Sequence, residues 1–147
     1  PSLLRPGRLD RLVFLGVPCD TEERTRVLAA QIRKLSLDGD HYEIARKVVD
    51  KMPPRLTGAD LSAIATGALS MAAARLCSQA DEERLRLKIT SGKECETSEV
   101  LDSWNEEKLT PLVLLEDLLA AASQVTPSLS EAELQRYEAM RHHFSNH

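Results

Sequence analysis

Arg5 and Arg8 stand three residues apart with Pro6-Gly7 between them, inside the opening run Leu3-Leu4-Arg5-Pro6-Gly7-Arg8-Leu9-Asp10-Arg11. Proline and glycine together mark a turn, and a turn can hold two guanidinium groups on one side of a rigid surface. Guanidinium is planar, permanently charged and matched to phosphate oxygens, so the pair could stabilise charge developing on a transferring phosphoryl group. The same spacing also describes a basic surface turn without chemistry, and spacing alone leaves both readings open. A second candidate is Thr57-Gly58-Ala59-Asp60. Thr and Asp three apart form a capping box at a helix start. Gly58 and Ala59 carry almost no side chain there, and a helix start has free N–H groups, so a phosphate or a flat ring could approach the backbone closely. Read as structure alone, the same residues only open a helix.

Other constellations are thin. His41, His142, His143 and His147 form no motif, and the last helix turn favours imidazoles for its dipole. Cys19, Cys77 and Cys95 are widely spaced, without a metal-ligand pattern, which fits a reducing compartment. Ser, His and Asp occur without the spacing of a nucleophile elbow. No G-x-x-x-x-G-K-[ST] loop occurs, and no apolar strand ends in paired Asp-Glu that could hold Mg²⁺.

These residues need elements to position them. The 147 residues suffice for one domain with a real core, and 42% of them are apolar. Aromatics are only 3%, so the core must be aliphatic, which favours packed helices. The net charge is −4, and an excess of acids over bases in residues 79–108 accounts for it. Without a clustered basic face, nucleic-acid binding is not expected. No continuous apolar run of bilayer length is apparent, so no membrane span is expected either.

Periodicity and caps predict a first helix over Asp20–Leu35, with Asp20 as cap and Arg33 and Lys34 in the last turn. Asp38-Gly39-Asp40 breaks it. A second helix is predicted over Tyr42–Met52, stopped by Pro53-Pro54. The third starts at the Thr57 box, stapled by Leu56 and Leu61. Its apolar positions, Leu61, Ile64, Ala65, Ala68, Leu69, Ala72 and Leu76, recur at three- and four-residue steps. Residues 79–108 are charged and lack a clean period, so they read as a frayed helix end to about Leu87 followed by a mobile insert. Trp104 within it either packs back onto the body or anchors a partner. Leu112-Val113-Leu114 reads as a short extended lead-in to a helix over Leu115–Val125. Ser130-Glu131-Ala132-Glu133 is another capping box, opening a last helix over about 130–144. The sum is mainly α, a small helical bundle with almost no sheet after residue 18.

With these elements in hand, the opening run followed by Leu12-Val13-Phe14-Leu15-Gly16-Val17-Pro18 resembles the second region of homology of AAA ATPases. The resemblance implies that Arg5 and Arg8 are trans-acting catalytic fingers aimed at the γ-phosphate of a neighbouring subunit's ATP. It implies that Asp10 braces the turn and that the apolar run is the last strand of a large α/β nucleotide-binding domain. Leu56-Thr57-Gly58-Ala59-Asp60-Leu61 resembles the sensor-two region of AAA lid domains, which implies that Gly58 and Ala59 lie against adenine and ribose. The subgroup with Gly-Ala here has no sensor-two arginine, so Arg5 and Arg8 remain the main cations. Leu28-Ala29-Ala30-Gln31-Ile32-Arg33-Lys34 is similar to the first lid helix, which implies adenine contacts from Val27 and Gln31. Gln31 is larger than the polar residue usual there.

Thr126-Pro127-Ser128-Leu129-Ser130-Glu131-Ala132-Glu133-Leu134-Gln135-Arg136-Tyr137-Glu138 resembles the C-terminal helix after the second module of type II AAA proteins. It looks most similar to the peroxisome-biogenesis branch, and relatives of valosin-containing protein share a shorter version. The resemblance covers residues 1–78 and about 112–144. It implies a helical-bundle lid over 19–147, with the insert at 79–108, preceded by the tail of the large domain over 1–18 and by sequence upstream. It further implies ATP as cofactor, with Mg²⁺ held by the large domain, and no hydrolysis by this chain alone. The implied partners are neighbouring AAA subunits in a hexamer, among them the second peroxisomal AAA ATPase. The implied work is unfolding of a protein substrate or its extraction, the ubiquitinated peroxisomal import receptor being drawn from the membrane by a cytoplasmic protein recruited to the cytosolic face of the peroxisome. The alternatives are the lid of another AAA protein, such as a segregase or membrane-fusion ATPase, and a helical interaction module with no nucleotide role.

Overall fold

The computed structural model describes residues 16–18, 20–92, 94–136 and 139. Arg5, Arg8, Asp10 and most of the expected strand, Leu12–Leu15, lie outside them. Residues 16–18 carry no regular structure.

Helix α1 (Thr21–Ile32) starts as its residues dictate, with the Asp20 carboxylate accepting the Glu23 N–H at 2.6 Å. It ends earlier than its periodicity suggests. The chain turns after Ile32 into β1 (Ser36–Leu37), so Arg33 and Lys34 lie in a turn and not in the last helical turn. Strand pairing and the half-buried Leu35 and Leu37 draw the backbone out of the helix there. Helix α2 (His41–Val49) is capped by Asp40, whose carboxylate accepts the N–H groups of Tyr42 and Glu43 at 3.0 and 2.9 Å. The helix stops at Val49, short of Met52, and tighter turn bonds carry the chain to Pro53-Pro54.

Helix α3 (Gly58–Ser91) is 34 residues long, about 50 Å. It runs past Leu87, where its sequence suggests a frayed end, to Ser91. Residues 79–91 lack an apolar stripe but are rich in Glu, Arg, Leu and Lys, which sustain a helix by propensity. Gly92 ends it, in the left-handed conformation at φ 64°, where a side chain would be strained. The stretch expected to be irregular contains two short helices. Helix α4 (Thr97–Asp102) and helix α5 (Glu106–Leu109) fold back toward the tail of α3, where Ala80, Val100 and Trp104 form a small buried cluster. The Trp104 indole N–H donates to Glu83 at 3.1 Å, and the Lys108 ammonium lies 3.8 Å over the ring centroid. Of the two roles open to Trp104, packing onto the body is the one seen.

Strand β2 (Leu112–Val113) pairs in parallel with β1, Ser36 opposite Leu112 and Leu37 opposite Val113. The extended lead-in is thus one half of a minimal sheet. Helix α6 (Leu115–Gln124) follows, and a further helical stretch covers 131–136. The main core gathers Leu28 and Ile32 from α1, Val48 from α2, Leu61, Ile64 and Ala68 from α3, Val113 from β2 and Leu118 from α6. Each large aliphatic side chain removed from water there contributes about 1.5–3 kcal/mol. Small residues let α3 and α6 approach closely: a Cβ on Gly67 would sit 3.2 Å from the Ala121 Cβ. An 18-residue window of α3 reaches a mean hydropathy of 1.3 and is long and apolar enough to cross a membrane. In this fold its buried positions face α1 and α6.

Arg75 joins three of these elements. Its guanidinium donates to both carboxylate oxygens of Asp117 at 2.8 Å and to the Leu112 carbonyl at 2.8 Å. Asp117, buried in the first turn of α6, also accepts the Leu114 N–H at 2.8 Å. The Arg75 hydrogen bonds, outweighing burial and helped by the Leu114 N–H, hold its carboxyl below the usual Asp range. An acid whose folded pKa is depressed stabilises the fold above its unfolded pKa of about 4, and that contribution is lost as pH falls through the lower folded value. We expect Asp117→Asn to cost about 1–3 kcal/mol at neutral pH and to remove part of the acid-induced loss below about pH 4. Thermal midpoints measured from pH 7 to pH 2 test this; parallel profiles for wild type and variant would contradict it. Trp104→Ala should speed amide exchange in residues 80–91 and 97–104 while leaving 61–72 protected. Equal deprotection of both halves of α3 would show that the helix does not divide there.

Candidate functional site

The four expected contact residues lie on two helices that pack together. Helix α1, carrying Val27 and Gln31, packs directly on α3, which opens with Gly58 and Ala59. Val27 is half-buried against the core and Gln31 is exposed. Gly58 is half-buried and Ala59 exposed. Arg24, on the same helix as Val27, donates to the Pro54 carbonyl at 2.8 Å and to the Thr21 hydroxyl at 3.2 Å. This strap holds the segment leading into Gly58 against α1. Sequence reasoning missed it, because a buried arginine on an amphipathic helix leaves no pattern distinct from a solvated one.

The start of α3 is open. Nothing lies within 4 Å of where a Cβ on Gly58 would sit. Among the described residues, no hydrogen bond engages the backbone N–H groups of Gly58 and Ala59. The capping box accounts for the next amides: the Thr57 hydroxyl accepts the Asp60 N–H at 3.2 Å, and the Asp60 carboxylate accepts the Thr57 N–H at 2.8 Å. Among the described residues, the arrangement offers two free donors at the positive end of a long helix, with open space beside Gly58. That suits a phosphate or the edge of a flat ring.

Behind this open turn lies a polar cluster. Asp60 is only 6% exposed. Its Oδ2 accepts the Thr57 hydroxyl at 3.0 Å, the Ser128 hydroxyl at 3.0 Å and the Ser128 N–H at 3.3 Å, besides the Thr57 N–H. Burial pushes its pKa up, but these donors together outweigh it and hold the carboxyl below its ordinary value. Nearby in sequence, Arg55 pairs with Glu131 at 2.8 Å. Ser130 and Glu133 form the expected second box, the carboxylate accepting the Ser130 N–H at 2.9 Å. Ser128 was legible only as part of a Thr-Pro-Ser turn; its partner lies 68 residues away.

Arg5 and Arg8 lie outside the described residues. Among those described, no three His, Cys, Asp or Glu side chains stand together as a metal site. Two grooves lie elsewhere. One of about 450 Å³ runs between the α3 tail and the segment before α4, lined by Arg84, Leu85, Lys88, Glu94, Cys95 and Glu99. The other, about 290 Å³, lies beside β2, lined by Ala72, Arg75, Leu76, Lys108 and Leu112 among others. The first is mixed in charge, the charged side chains of the second are the basic Arg75 and Lys108, and neither includes Gly58 or Ala59.

No family model matches the chain. It is similar to curated proteins named peroxisomal ATPase PEX6. The Cricetulus griseus protein is 37% identical over 145 residues, covering 99% of this chain and 13% of that protein. The Schizosaccharomyces pombe protein is 37% identical over 148 residues, 99% of this chain and 15% of its own length. The Saccharomyces cerevisiae protein is 35% identical over 144 residues, 97% and 14%. The chain thus spans about one seventh of the length of the relatives it matches. Together the matches make the chain similar, over nearly its whole length, to one segment of the proteins named peroxisomal ATPase PEX6.

Proposed function

We propose that residues 19–147 are the lid of the second module of a type II AAA ATPase and that residues 1–18 are the tail of its large nucleotide-binding domain. The observation that carries this reading is the open, capped start of α3, with free amides at Gly58 and Ala59 on the helix that packs against α1. In this reading the adenosine of ATP lies against Gly58, Ala59, Val27 and Gln31. ATP would supply the phosphoryl group, and Mg²⁺ would be held by the large domain and not by the lid. Arg5 and Arg8 serve the adjacent subunit. Their guanidinium groups stabilise the charge that spreads over the transferring phosphoryl oxygens of the neighbour's site. The lid's rigidity, set by the Arg24 strap and the Arg75–Asp117 pair, lets it turn as one body when the nucleotide state changes.

The whole protein would form a hexameric ring with the second peroxisomal AAA ATPase. It would act from the cytosol on a protein substrate, recycling the peroxisomal import receptor at the membrane surface. The match to proteins named peroxisomal ATPase supports this choice among AAA functions. An interaction module anchored by Trp104 is less well supported, because the ring is buried on the chain's own α3 tail.

In the full-length protein, Arg5→Ala or Arg8→Ala should lower kcat by a factor of roughly 10³ and change nucleotide affinity little, since a finger acts on the neighbour's transition state. Steady-state ATPase and nucleotide-binding assays decide; kcat within about twofold of wild type together with weakened ATP binding would make both arginines ordinary binding groups. Deleting residues 88–105 should leave basal ATPase activity intact, because Ala80 already lies about 33 Å along α3 from Gly58. Loss of basal activity with the hexamer intact would place the insert in the catalytic machinery.

A further inference from the structure

Asp60 does more than cap its helix. In an ordinary capping box the carboxylate three residues into the helix meets only the N-cap N–H. Here one oxygen of Asp60 also receives the hydroxyl and the N–H of Ser128, and the Ser128 and Thr57 hydroxyls approach each other at 3.2 Å. Ser128 begins the segment that runs into the helical stretch at 131–136. Two further contacts stiffen that junction: Arg55, two residues before Thr57, pairs with Glu131 at 2.8 Å, and Glu133 closes the box on Ser130. The first turn of α3 and the start of the C-terminal segment are therefore joined through a buried, ionised carboxylate. A buried carboxylate that loses a donor must reorganise or take up water, so the geometry of this turn depends on Ser128 remaining in place.

The turn so held is the one that presents the free amides of Gly58 and Ala59. We propose that Asp60 and Ser128 are positioning residues for the nucleotide contact, so that the C-terminal segment forms part of the support of that site. This rests on the lid reading above. Asp60 orients the N-cap residue directly before Gly58, and Ser128 holds Asp60. Neither touches nucleotide. The coupling is reciprocal: whatever fixes the α3 turn also fixes the C-terminal segment.

The test uses the full-length ATPase with Ser128→Ala, Ser128→Thr and, as a separate probe of the contact surface, Ala59→Trp. Ser128→Ala should raise the KM for ATP about three- to tenfold, the worth of one hydrogen bond at the site, with a much smaller fall in kcat. Ser128→Thr keeps the hydroxyl and should restore KM. A merely structural role would lower the amount of active protein, and hence apparent kcat, and leave KM unchanged. Ala59→Trp should raise KM on its own, by blocking approach to the helix start. If Ala59→Trp raises KM and Ser128→Ala does not, the positioning role is overturned and the lid reading survives. If neither changes KM, the nucleotide contact at Gly58 and Ala59 falls, and the positioning role with it. Amide exchange gives a second readout: ATP should protect 131–136 in the wild type and not in Ser128→Ala, and equal protection in both would overturn the coupling.

Discussion

A carboxylate withdrawn from water has to be met by donors, and two such carboxylates organise this fold. Asp60 and Asp117 each sit three residues into a helix, each is nearly buried, and each bends back to accept the N–H of the N-cap residue at 2.8 Å. That local bond leaves acceptor capacity over. Residues distant in sequence supply the remaining donors, Ser128 to Asp60 and Arg75 to Asp117. The requirement that buried charge be satisfied turns two helix caps into tertiary joints. One joint fixes α3 to the C-terminal segment, and the other fixes α3 to α6 and to β2.

Helix α3 carries both joints, and its two halves have different physics. Its first half packs on α1 and α6 through Leu61, Ile64, Ala65 and Ala68, with Gly67 against Ala121. Its tail is a polar strut, sustained by residues of high helix propensity and covered on one side by Val100 and Trp104. Leu85 and Ile89 remain 56% and 77% exposed on it. The tail is continuous with the turn that carries Gly58 and Ala59, since one helix spans Gly58–Ser91.

On the proposed lid reading, the domain must be stiff enough to move as one piece and open where nucleotide would meet it. The stiffness here comes from packed aliphatic side chains together with Arg24, Arg75 and the two buried acids. The openness comes from using the smallest side chains where the helix amides are free. Those properties belong to different residues, so one can be altered without the other.

Much of the architecture was legible in the chain. Asp20, Thr57 and Ser130 cap helices where local chemistry requires it, and the apolar steps from Leu61 to Ala72 mark the face that is buried. The open, capped helix start at Gly58 and Ala59 was legible because only local backbone geometry is needed to see it. Helix ends were less legible: α1 stops at Ile32 because β1 must reach β2, a pairing between residues 36–37 and 112–113 that no local signal announces. The helical content of residues 79–108 was not legible because periodicity detects burial, whereas the α3 tail persists on propensity and on a distant cover from Val100 and Trp104. The second partners of Asp60 and Asp117, and the strap from Arg24 to Pro54, could be decided only by tertiary structure. A cap is satisfied within four residues and so is written locally; a buried charge is satisfied by whatever donor the fold brings near, and Ser128 and Arg75 become those donors only once the helices have packed.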